Sequence, residues 1–551
     1  MISTGLLEAA PSFFSNSAQA MKRIFVLIST ILIFSVVSAL LYHKALKITS
    51  DQFVYTLDDP YIHLQMAKNL AENGSFGMKE GEFSSTSSSP FWTLLLAGYY
   101  STISESKFAP LILNFVISIL TILLSFLALP KKTPIWLLFL TLMLIVFASP
   151  LHALQFSGME HNAQIAFCIL FVIYAKKLFD SGFTKYYLPV FITAFLVTSL
   201  RFECSFLVFA MAILLLAKKK RIHSLLLLFF GGLPILVYGI VSLKNGWHFF
   251  PNSILLKAHL TSSGGLTTTI KTIFFNVIIQ IGKSPQILVL LLISFILLIE
   301  RNFKKKFVLD SVNSLALLFI LTSLVHMQLG SIGWFYRYEA YLVALGIFTN
   351  SYCIFDRFDR YKEYFIQTSR SMKVVFIVAF AILLIPLFYR AVDSTLVTTK
   401  AQKNIRDQQL LMTKFVERYY TNDNIAVNDI GMVSYETEAN IIDVWGLANN
   451  QTGNAILGGY YNSEFFQKFL DDNNVKLVIS YEFLFGRPGV KPDDWELVAT
   501  WLAHDNYVLG DVLLGFYARE EDIPELLENL DQFEPFIHSD VIQRKFIQSR
   551  K

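Results

Sequence analysis

The chain has 551 residues, of which 54% are hydrophobic and 16% are charged, and its formal net charge is +4. A mean hydropathy of +0.50 excludes an ordinary soluble domain and predicts a polytopic α-helical membrane protein. The basic residues are not interleaved with aromatic residues, so the sequence does not favour nucleic acid as a partner.

Apolar runs with few charges predict about eleven membrane-spanning helices, although several runs are shorter than the roughly 20 residues that cross a bilayer. They lie near residues 24–42, 108–129, 134–150, 163–179, 186–200, 203–217, 223–243, 285–300, 308–330, 338–355 and 373–391. When these runs are threaded in order, the short basic clusters fall on one side, which the positive-inside rule marks as the cytoplasm. The clusters are Lys22-Arg23, Lys131-Lys132, Lys176-Lys177, 218–221, 304–306 and 357–373.

A change in composition divides the chain into two predicted domains. Residues 21–395 are expected to form the membrane domain, with a long outer loop at 43–107. Residues 396–551 are richer in Asp, Glu, Asn and Gln and are expected to form an α/β domain on the outer side. In that domain, strand patterns alternate with helical patterns. The strand patterns are at 424–428, 441–444, 475–480 and 508–517, and the helical patterns are at 408–420 and 463–470.

Residues 1–20 are interpreted as a misassigned start or a short cytoplasmic tail. The sequence Met21-Lys22-Arg23 has the form of a start followed by a signal anchor. The first apolar run is therefore expected to be a retained span.

Two adjacent carboxylates, Asp58 and Asp59, follow the first apolar run. Charged groups at a membrane boundary are costly to desolvate, so such a pair usually has a chemical task. Asp59 before Pro60 has the form of an N-cap for a helix over 61–73, and Gly74 supplies its end. An alternative is that both aspartates merely begin this helix. Asp58 is not needed for the cap and is therefore the better candidate for a general base.

A serine-rich run at 84–90 follows the aspartate pair. By composition it reads equally well as a flexible linker. Its position after the two carboxylates favours a role in the same site.

The segment 57–70, followed by Gly81-Glu82 and Ser89-Pro90-Phe91-Trp92, resembles the first outer loop of the GT-C superfamily of membrane glycosyltransferases. The likeness is to the bacterial branch that includes cell-wall arabinofuranosyltransferases. Further matches occur in the expected order. They are Ser157-Gly158-Met159-Glu160, Arg201-Phe202-Glu203, Pro251-Asn252-Ser253 with Lys257, Arg337-Tyr338, and Asn428-Asp429-Ile430-Gly431.

This resemblance implies a GT-C-like fold that transfers a sugar from a polyprenyl-phosphate donor to an acceptor outside the cytoplasm. It implies that an aspartate of the first outer loop, here Asp58, is the base. Pro60 and the serines before Ser89-Pro90 depart from the usual pattern and leave the acceptor undetermined. The expected acceptor is a glycan, a glycolipid such as lipopolysaccharide, or a protein. The protein is expected in a bacterial inner membrane, with its active site on the periplasmic side.

The candidate site residues are grouped by role. Asp58 and Asp59 are the catalytic candidates, Arg337, Lys257 and Arg201 are the donor-phosphate candidates, and Glu82, Glu160, Glu203, Asn252 and Tyr338 are the substrate-binding candidates.

The donor-phosphate candidates rest on charge and geometry. Arginine's planar fork suits phosphate, and Lys257 belongs to an outer loop at 244–285 that has four lysines and no acidic residue. The alternative for Arg201 is a structural pair with Glu203 or Glu160. A second carboxylate beside Asp58 could hold a divalent cation, so metal dependence is left open.

The predicted function is an inverting glycosyltransferase. The sequence has no glycine-rich phosphate loop, so a nucleotide-linked donor is disfavoured. The alternative is a transporter or flippase for a polar lipid or glycan, but the sequence lacks the repeated halves typical of many transporters. A transferase that moves a phospho-group or an intact glycan is a second alternative.

Overall fold

The computed structural model describes residues 5–259, 278–303 and 306–547, with the side chains of residues 5–18 and 257–259 left out. Up to residue 419 the described chain is almost wholly helical. The helices are Gly5–Ile48, Asp59–Asn73, Pro90–Thr102, Ala109–Ala128, Ile135–Phe147, Leu151–Leu154, His161–Asp180, Tyr187–Leu200, Ser205–Ala217, Arg221–Lys244, Asn252–His259, Pro285–Asn302, Ser311–Leu329, Ala340–Asp356, Phe358–Gln367, Arg370–Ile405 and Leu411–Tyr419.

Eight helical segments of the described chain are long and apolar enough to cross a membrane. They are Gln19–Ile48, Ala109–Ala128, Ile135–Ser157, His161–Asp180, Arg221–Lys244, Pro285–Asn302, Ser311–Leu329 and Arg370–Tyr419. Three shorter apolar helices, Tyr187–Leu200, Phe202–Ala217 and Ala340–Asp356, match the remaining predicted runs. The polytopic helical class is therefore confirmed, while the number of eleven spans stays a prediction.

The two ends of the first span contact different parts of the molecule. Near its start, Arg23 donates hydrogen bonds to the carbonyls of Pro130 and Lys131, at 3.0 and 3.1 Å. At its end, the carbonyl of Ile48 accepts a hydrogen bond from Arg406. Since a helix rises about 1.5 Å per residue, these contacts are separated by the thickness of a bilayer. Basic loop 130–132 and the C-terminal domain thus lie at opposite ends of this span.

The C-terminal domain contains a mixed sheet of six strands within the described residues. The strands are β1 (Asn424–Val427), β2 (Asn440–Asp443), β3 (Leu477–Tyr481), β4 (Trp495–Ala503), β5 (Leu513–Arg519) and β6 (Val541–Lys545). Their order in the sheet is β2-β1-β3-β5-β4-β6. β1 runs parallel to β2 and β3, whereas β5, β4 and β6 continue the sheet in antiparallel pairs. The predicted α/β fold of this region is confirmed, while its position on the outer side of the membrane stays a prediction.

Further helices cover the sheet. They are Gly431–Glu436, Asn450–Gly458, Ser463–Asp472 and Ile523–Phe533. The long outer loop also contributes, because Ile62 and Met66 of helix Asp59–Asn73 belong to the same buried cluster as Ile425 and Val433. The aspartate-bearing helix is therefore packed into the core of the C-terminal domain.

The last span continues into that domain without a loop. Helix Arg370–Ile405 passes through a five-residue π-helical segment, Arg406–Leu410, into helix Leu411–Tyr419. The predicted domain division at 396 lies inside this continuous rod and stays a prediction.

Candidate active site

Asp58 faces the C-terminal domain and does not cap its own helix. Helix Asp59–Asn73 begins two residues before the predicted start at residue 61, and Asp58 at its N-cap position makes no side-chain capping bond. The prediction that Asp59 is the N-cap is therefore wrong, whereas Gly74 does end the helix in a left-handed conformation with φ of 71°. The alternative that both aspartates merely begin a helix is not what the structure shows.

The Asp58 carboxylate is bound by two backbone amides of the C-terminal domain. Oδ2 accepts a hydrogen bond from Gly431 N at 2.6 Å, and Oδ1 accepts one from Met432 N at 2.8 Å. A Cβ atom at position 431 would lie 2.6 Å from Oδ2 and 2.3 Å from the carbonyl oxygen of Asp58. Only glycine allows this approach.

Asp59 pairs with Arg337. Its Oδ2 lies 2.6 Å from Arg337 Nη1, and the arginine is buried with 3% of its surface exposed. Arg337 Nη2 also donates to the hydroxyl of Tyr338 at 3.2 Å, and the guanidinium lies 5.0 Å from that ring. Buried Arg337 Nε has no hydrogen-bond partner among the described residues, which leaves a donor for a ligand.

These groups line one cavity of about 300 Å³ between the outer loop and the C-terminal domain. Its polar lining includes Asp58, Asp59, His63, Ser87, Ser88, Ser253, Arg337, Tyr338, Gln409, Asn428, Asp429 and Tyr481. Asn428 and Asp429 follow β1, Trp445 and Leu447 follow β2, and Tyr481 ends β3. The cavity thus lies at the carboxyl edge of the three parallel strands, the usual ligand position in such sheets.

Asp429 is a third carboxylate of this cavity. Its Oδ2 accepts hydrogen bonds from Gln409 Nε2 at 2.7 Å and from the Tyr481 hydroxyl at 2.5 Å. Burial, and then the charge of Asp429, raise the pKa of Asp58 to about 8, although the two amide hydrogen bonds oppose this shift. Burial raises the pKa of Asp429 as well.

Buried Arg201 and Glu160 form a cluster with the partly exposed Glu203 behind the cavity. Arg201 contacts Glu160 Oε1 at 3.0 Å and both carboxylate oxygens of Glu203 at 3.1 and 2.6 Å. It also donates to Ser88 Oγ at 3.0 Å, and Ser88 lines the cavity. Within the described residues, the lining of the cavity does not include Arg201, Glu160 or Glu203. The geometry is that of the structural alternative, and a phosphate or substrate role for them stays a prediction.

The remaining substrate-binding candidates lie apart from Asp58. Glu82 is exposed and lines a separate cavity of about 510 Å³, so its substrate-binding role stays a prediction. Asn252 donates from Nδ2 to the carbonyl of Gly446 at 2.8 Å and from its backbone to that of Ser85 at 3.0 Å. It ties the loops together, and the side chain of Lys257 lies outside the described residues.

The serine-rich run is packed, which overturns the flexible-linker interpretation. Ser84, Ser85, Ser87 and Ser89 are buried. Ser85 Oγ lies 3.1 Å from the hydroxyl of Tyr238 and accepts a hydrogen bond from Ser242 at 3.0 Å. The run therefore joins the outer loop to helix Arg221–Lys244.

No role was predicted from the sequence for Asp429, Gln409 or Tyr481. Asp429 lay within the segment Asn428-Asp429-Ile430-Gly431 that carried the family resemblance, and an acid directly after a buried strand is a signal for it. His63 is buried, lines the cavity and lies 2.9 Å from Thr93 Oγ1 through Nδ1. Burial lowers the pKa of His63, which favours its neutral form.

The described residues contain no group of three His, Cys, Asp or Glu side chains arranged to hold a metal ion. In this cavity the guanidinium of Arg337 lies against the Asp59 carboxylate and balances its charge without a metal ion. Dependence on a divalent cation therefore stays a prediction.

Comparisons with known proteins give a partial family match and remote structural likenesses. Residues 403–517 match the family described as Domain of unknown function (DUF8728), which is less than half of the chain. No curated protein matches the sequence. Since the matched segment includes Gln409, Asp429 and Tyr481, the match covers the side of the cavity formed by the C-terminal domain.

The solved structures that are similar include ArnT from Cupriavidus metallidurans bound to undecaprenyl phosphate, with a TM-score of 0.49, 10% identity, and coverage of 90% of this chain and 98% of that chain. For the Archaeoglobus fulgidus oligosaccharyltransferase in its apo form, the TM-score is 0.45 and the identity 12%, with coverage of 90% of this chain and 74% of that chain. For AglB from the same organism, in complex with an inhibitory peptide and a dolichol-phosphate, the TM-score is 0.43 and the identity 13%, with coverage of 90% of this chain and 74% of that chain. Scores below 0.5 assign neither a substrate nor a reaction to this chain.

Proposed function

We propose that this protein is a membrane glycosyltransferase that moves a sugar from a polyprenyl-phosphate donor to an acceptor hydroxyl, with Asp58 as general base. The observation that carries this proposal is the joint placement of Asp58 and Arg337 on one cavity. A base and a cation on the same cavity match a reaction in which a hydroxyl loses a proton and a phosphate gains charge.

Asp58 suits the proton-accepting role. With a pKa raised to about 8, its carboxylate is more basic than an exposed aspartate. Each carboxylate oxygen accepts one amide hydrogen bond, so each keeps a further lone pair for an acceptor hydroxyl. The two amides fix the direction of those lone pairs.

In the proposed reaction, the acceptor oxygen attacks the anomeric carbon while its proton moves to Asp58. The bond between that carbon and the phosphate oxygen breaks, and polyprenyl phosphate leaves with the electron pair. Arg337 stabilises the departing charge through the buried Nε. A single displacement of this kind inverts the anomeric centre.

Asp59 holds Arg337 in the cavity, and Lys257 and Tyr338 add contacts to the donor. The sugar is a hexose or a pentose, and the acceptor is a glycan, a glycolipid or a protein. The cavity lies on the periplasmic side of a bacterial inner membrane, as the basic loops at the other end of the spans predict.

The transporter alternative is less well supported by the position of the polar groups. The three carboxylates and Arg337 lie between the outer loop and the C-terminal domain, and two of the carboxylates are supplied by helix Asp59–Asn73 and its N-cap. Transport sites are typically near the bilayer midplane, between repeats. A transferase of phospho-groups or intact glycans keeps this architecture, so product analysis must separate it from the main proposal.

The test compares purified wild-type protein with Asp58→Asn, each given a polyprenyl-phosphate sugar and a cell-envelope extract. We expect the variant to lose about 100- to 10,000-fold in rate, the usual worth of a general base. Asp51→Asn, an exposed aspartate of the same loop, is the matched control. Equal sugar transfer by wild type and Asp58→Asn would remove Asp58 as the base. Lipid flux without a glycosidic product would favour the transporter, and loss of activity with a chelator would establish the metal.

A further inference from the structure

The residues directly before Arg337 adopt a rare backbone conformation. The φ angles of Gly333, Trp334, Phe335 and Tyr336 are 86°, 44°, 58° and 59°. Bulky L-residues seldom enter the left-handed region, and they do so singly, because Cβ then approaches the carbonyl oxygen. Three in succession form a strained turn, and such a turn persists only where its surroundings hold it.

One buried ion pair holds both ends of this turn. Glu339 Oε2 accepts a hydrogen bond from Gly333 N at 2.8 Å, where the turn begins. Arg390 Nη2 donates to the carbonyl of Tyr336 at 2.7 Å, where the turn ends. The two side chains meet through Arg390 Nη1 and Glu339 Oε1 at 2.5 Å, and both are almost fully buried.

Arg390 also anchors the pair to the helical core. Its Nε donates to the carbonyl of Ala148 at 2.9 Å, and its guanidinium lies 5.3 Å from the ring of Tyr336. Arg390 belongs to the last span, in helix Arg370–Ile405. The turn is therefore tied to two separate helical regions, and the next residue after it is Arg337.

We propose that Glu339 and Arg390 are positioning residues, which keep residues 333–336 in the left-handed turn and so fix the Arg337 guanidinium in the cavity beside Asp59. The inference rests on the proposed function for its consequence, namely that Arg337 contacts the phosphate of the donor. Its structural half, the clamp on the turn, is independent of any activity. Neither Glu339 nor Arg390 lines the cavity within the described residues, so they act through Arg337.

The experiment uses the double substitution Glu339→Leu with Arg390→Met in the full-length protein. Replacing both members of a buried ion pair by apolar residues of similar size usually preserves folding, whereas a single substitution leaves a buried charge unpaired. Backbone hydrogen exchange of a peptide spanning 330–340 reports the clamp, and KM and kcat report its consequence. We expect faster exchange at Gly333 and a loss of roughly 100-fold in kcat/KM, carried by the KM for donor, since small misplacements cost that much.

A charge-swapped variant, Glu339→Arg with Arg390→Glu, separates positioning from mere ion pairing. It keeps opposite charges together, yet arginine at 339 cannot accept from Gly333 N and glutamate at 390 cannot donate to the Tyr336 carbonyl. We expect the swap to restore neither slow exchange nor the donor KM. Arg301→Met, which removes an arginine that pairs with Asp310 and Asp356, is the control for loss of an ion pair elsewhere.

The proposal would be overturned if the backbone amide of Gly333 exchanged at the wild-type rate in the apolar double variant. It would also be overturned if the charge-swapped variant recovered both slow exchange and the wild-type KM for donor. Absence of sugar transfer by the wild-type protein with any polyprenyl-phosphate donor would refute the proposed function instead. The exchange measurement would still decide the clamp in that case.

Discussion

The Asp58 carboxylate occupies the space that a side chain at position 431 would need, and it is bound by the backbone amide of Gly431 at 2.6 Å. These two residues are 373 positions apart in the chain. The contact joins the first outer loop to the first turn after β1. The cavity is therefore formed by both domains together, and the geometry of the candidate base depends on the C-terminal domain.

Gly431→Ala should displace Asp58. The added methyl group meets the Asp58 carboxylate and its backbone carbonyl, so the two chain segments must separate. We expect a loss of about 1–3 kcal/mol in stability, typical of overpacking, together with a large loss of sugar transfer. Thermal unfolding and initial rates measure the two effects.

Gly98→Ala is the control for this substitution, because a Cβ at that helical glycine has nothing within 4 Å. It should keep wild-type activity and gain up to about 1 kcal/mol in stability. If Gly431→Ala transferred sugar at the wild-type rate, the contact between Asp58 and the start of helix Gly431–Glu436 would not be needed for catalysis.

The rate of transfer should rise with pH. A base must be deprotonated, and burial together with Asp429 raises the pKa of Asp58 to about 8. The rate should therefore be low at pH 6, rise through an apparent pKa near 8, which belongs to the coupled carboxylates, and level off above it. A pH–rate profile of kcat/KM measures this.

Asp429→Asn should move that profile to lower pH. Removing the neighbouring charge makes ionisation of Asp58 easier, and asparagine can still contact Gln409 and Tyr481. A profile that stays in place after this substitution would show that another group controls the rate.

The stability of the folded protein should respond to pH in the opposite sense. A carboxyl group whose pKa is higher in the folded than in the unfolded state binds its proton more tightly when folded. Asp58 therefore contributes stability below the unfolded pKa of about 4, and this contribution is lost as pH rises through about 8. Asp58→Asn should flatten the fall in unfolding temperature between these pH values, and an unchanged slope would contradict the raised pKa.

Arg337→Lys should weaken donor binding while leaving the fold intact. Lysine keeps the charge and can still pair with Asp59, but it lacks the planar fork and the Nε donor. We expect a loss of about 1.5–3 kcal/mol in transition-state binding, the worth of a hydrogen bond to a charged group. Steady-state kinetics with varied donor measure it, and an unchanged KM for donor would argue against a phosphate contact.

Arg201→Gln should act on stability. It leaves Glu160 and Glu203 without their cation, and breaking a buried pair costs about 3–5 kcal/mol, with the lower value expected because Glu203 is partly exposed. Denaturation in detergent measures the loss. A stable Arg201→Gln protein with a raised donor KM would instead restore Arg201 as a phosphate ligand.

The spans and the first three strands were predictable because their signals are local. Crossing a bilayer requires long apolar runs, and each predicted run corresponds to an apolar helix. β1, β2 and β3 are short apolar strands of the kind that buried parallel sheets use. β4 and β6 were both missed. β6 is an edge strand with exposed polar residues, and its strand state depends on pairing with β4.

The site was only partly predictable, because its contacts are distant in sequence. Asp58 and Asp59 stand out as adjacent acids, and Arg201 has an obvious partner two residues away in Glu203. Nothing in the sequence near Asp58 indicates that it binds the amides after β1. Asp58 was preferred over Asp59 because Asp59 was expected to be the N-cap of the helix, and the structure places Asp58 at that position instead. Glu82 was grouped with the site by the spacing of a motif, yet the chain carries it to a different cavity.

The continuous helical segment from Arg370 to Tyr419 connects the last span directly to the C-terminal domain. Its lower part is a lipid-facing span, and its upper part carries Gln409 into the cavity. Because a span tilts to match the thickness of the surrounding hydrocarbon, we expect bilayer thickness to act on the end of this segment that carries Gln409. If the proposed sugar transfer takes place in this cavity, we expect turnover measured in vesicles of graded acyl length to show an optimum.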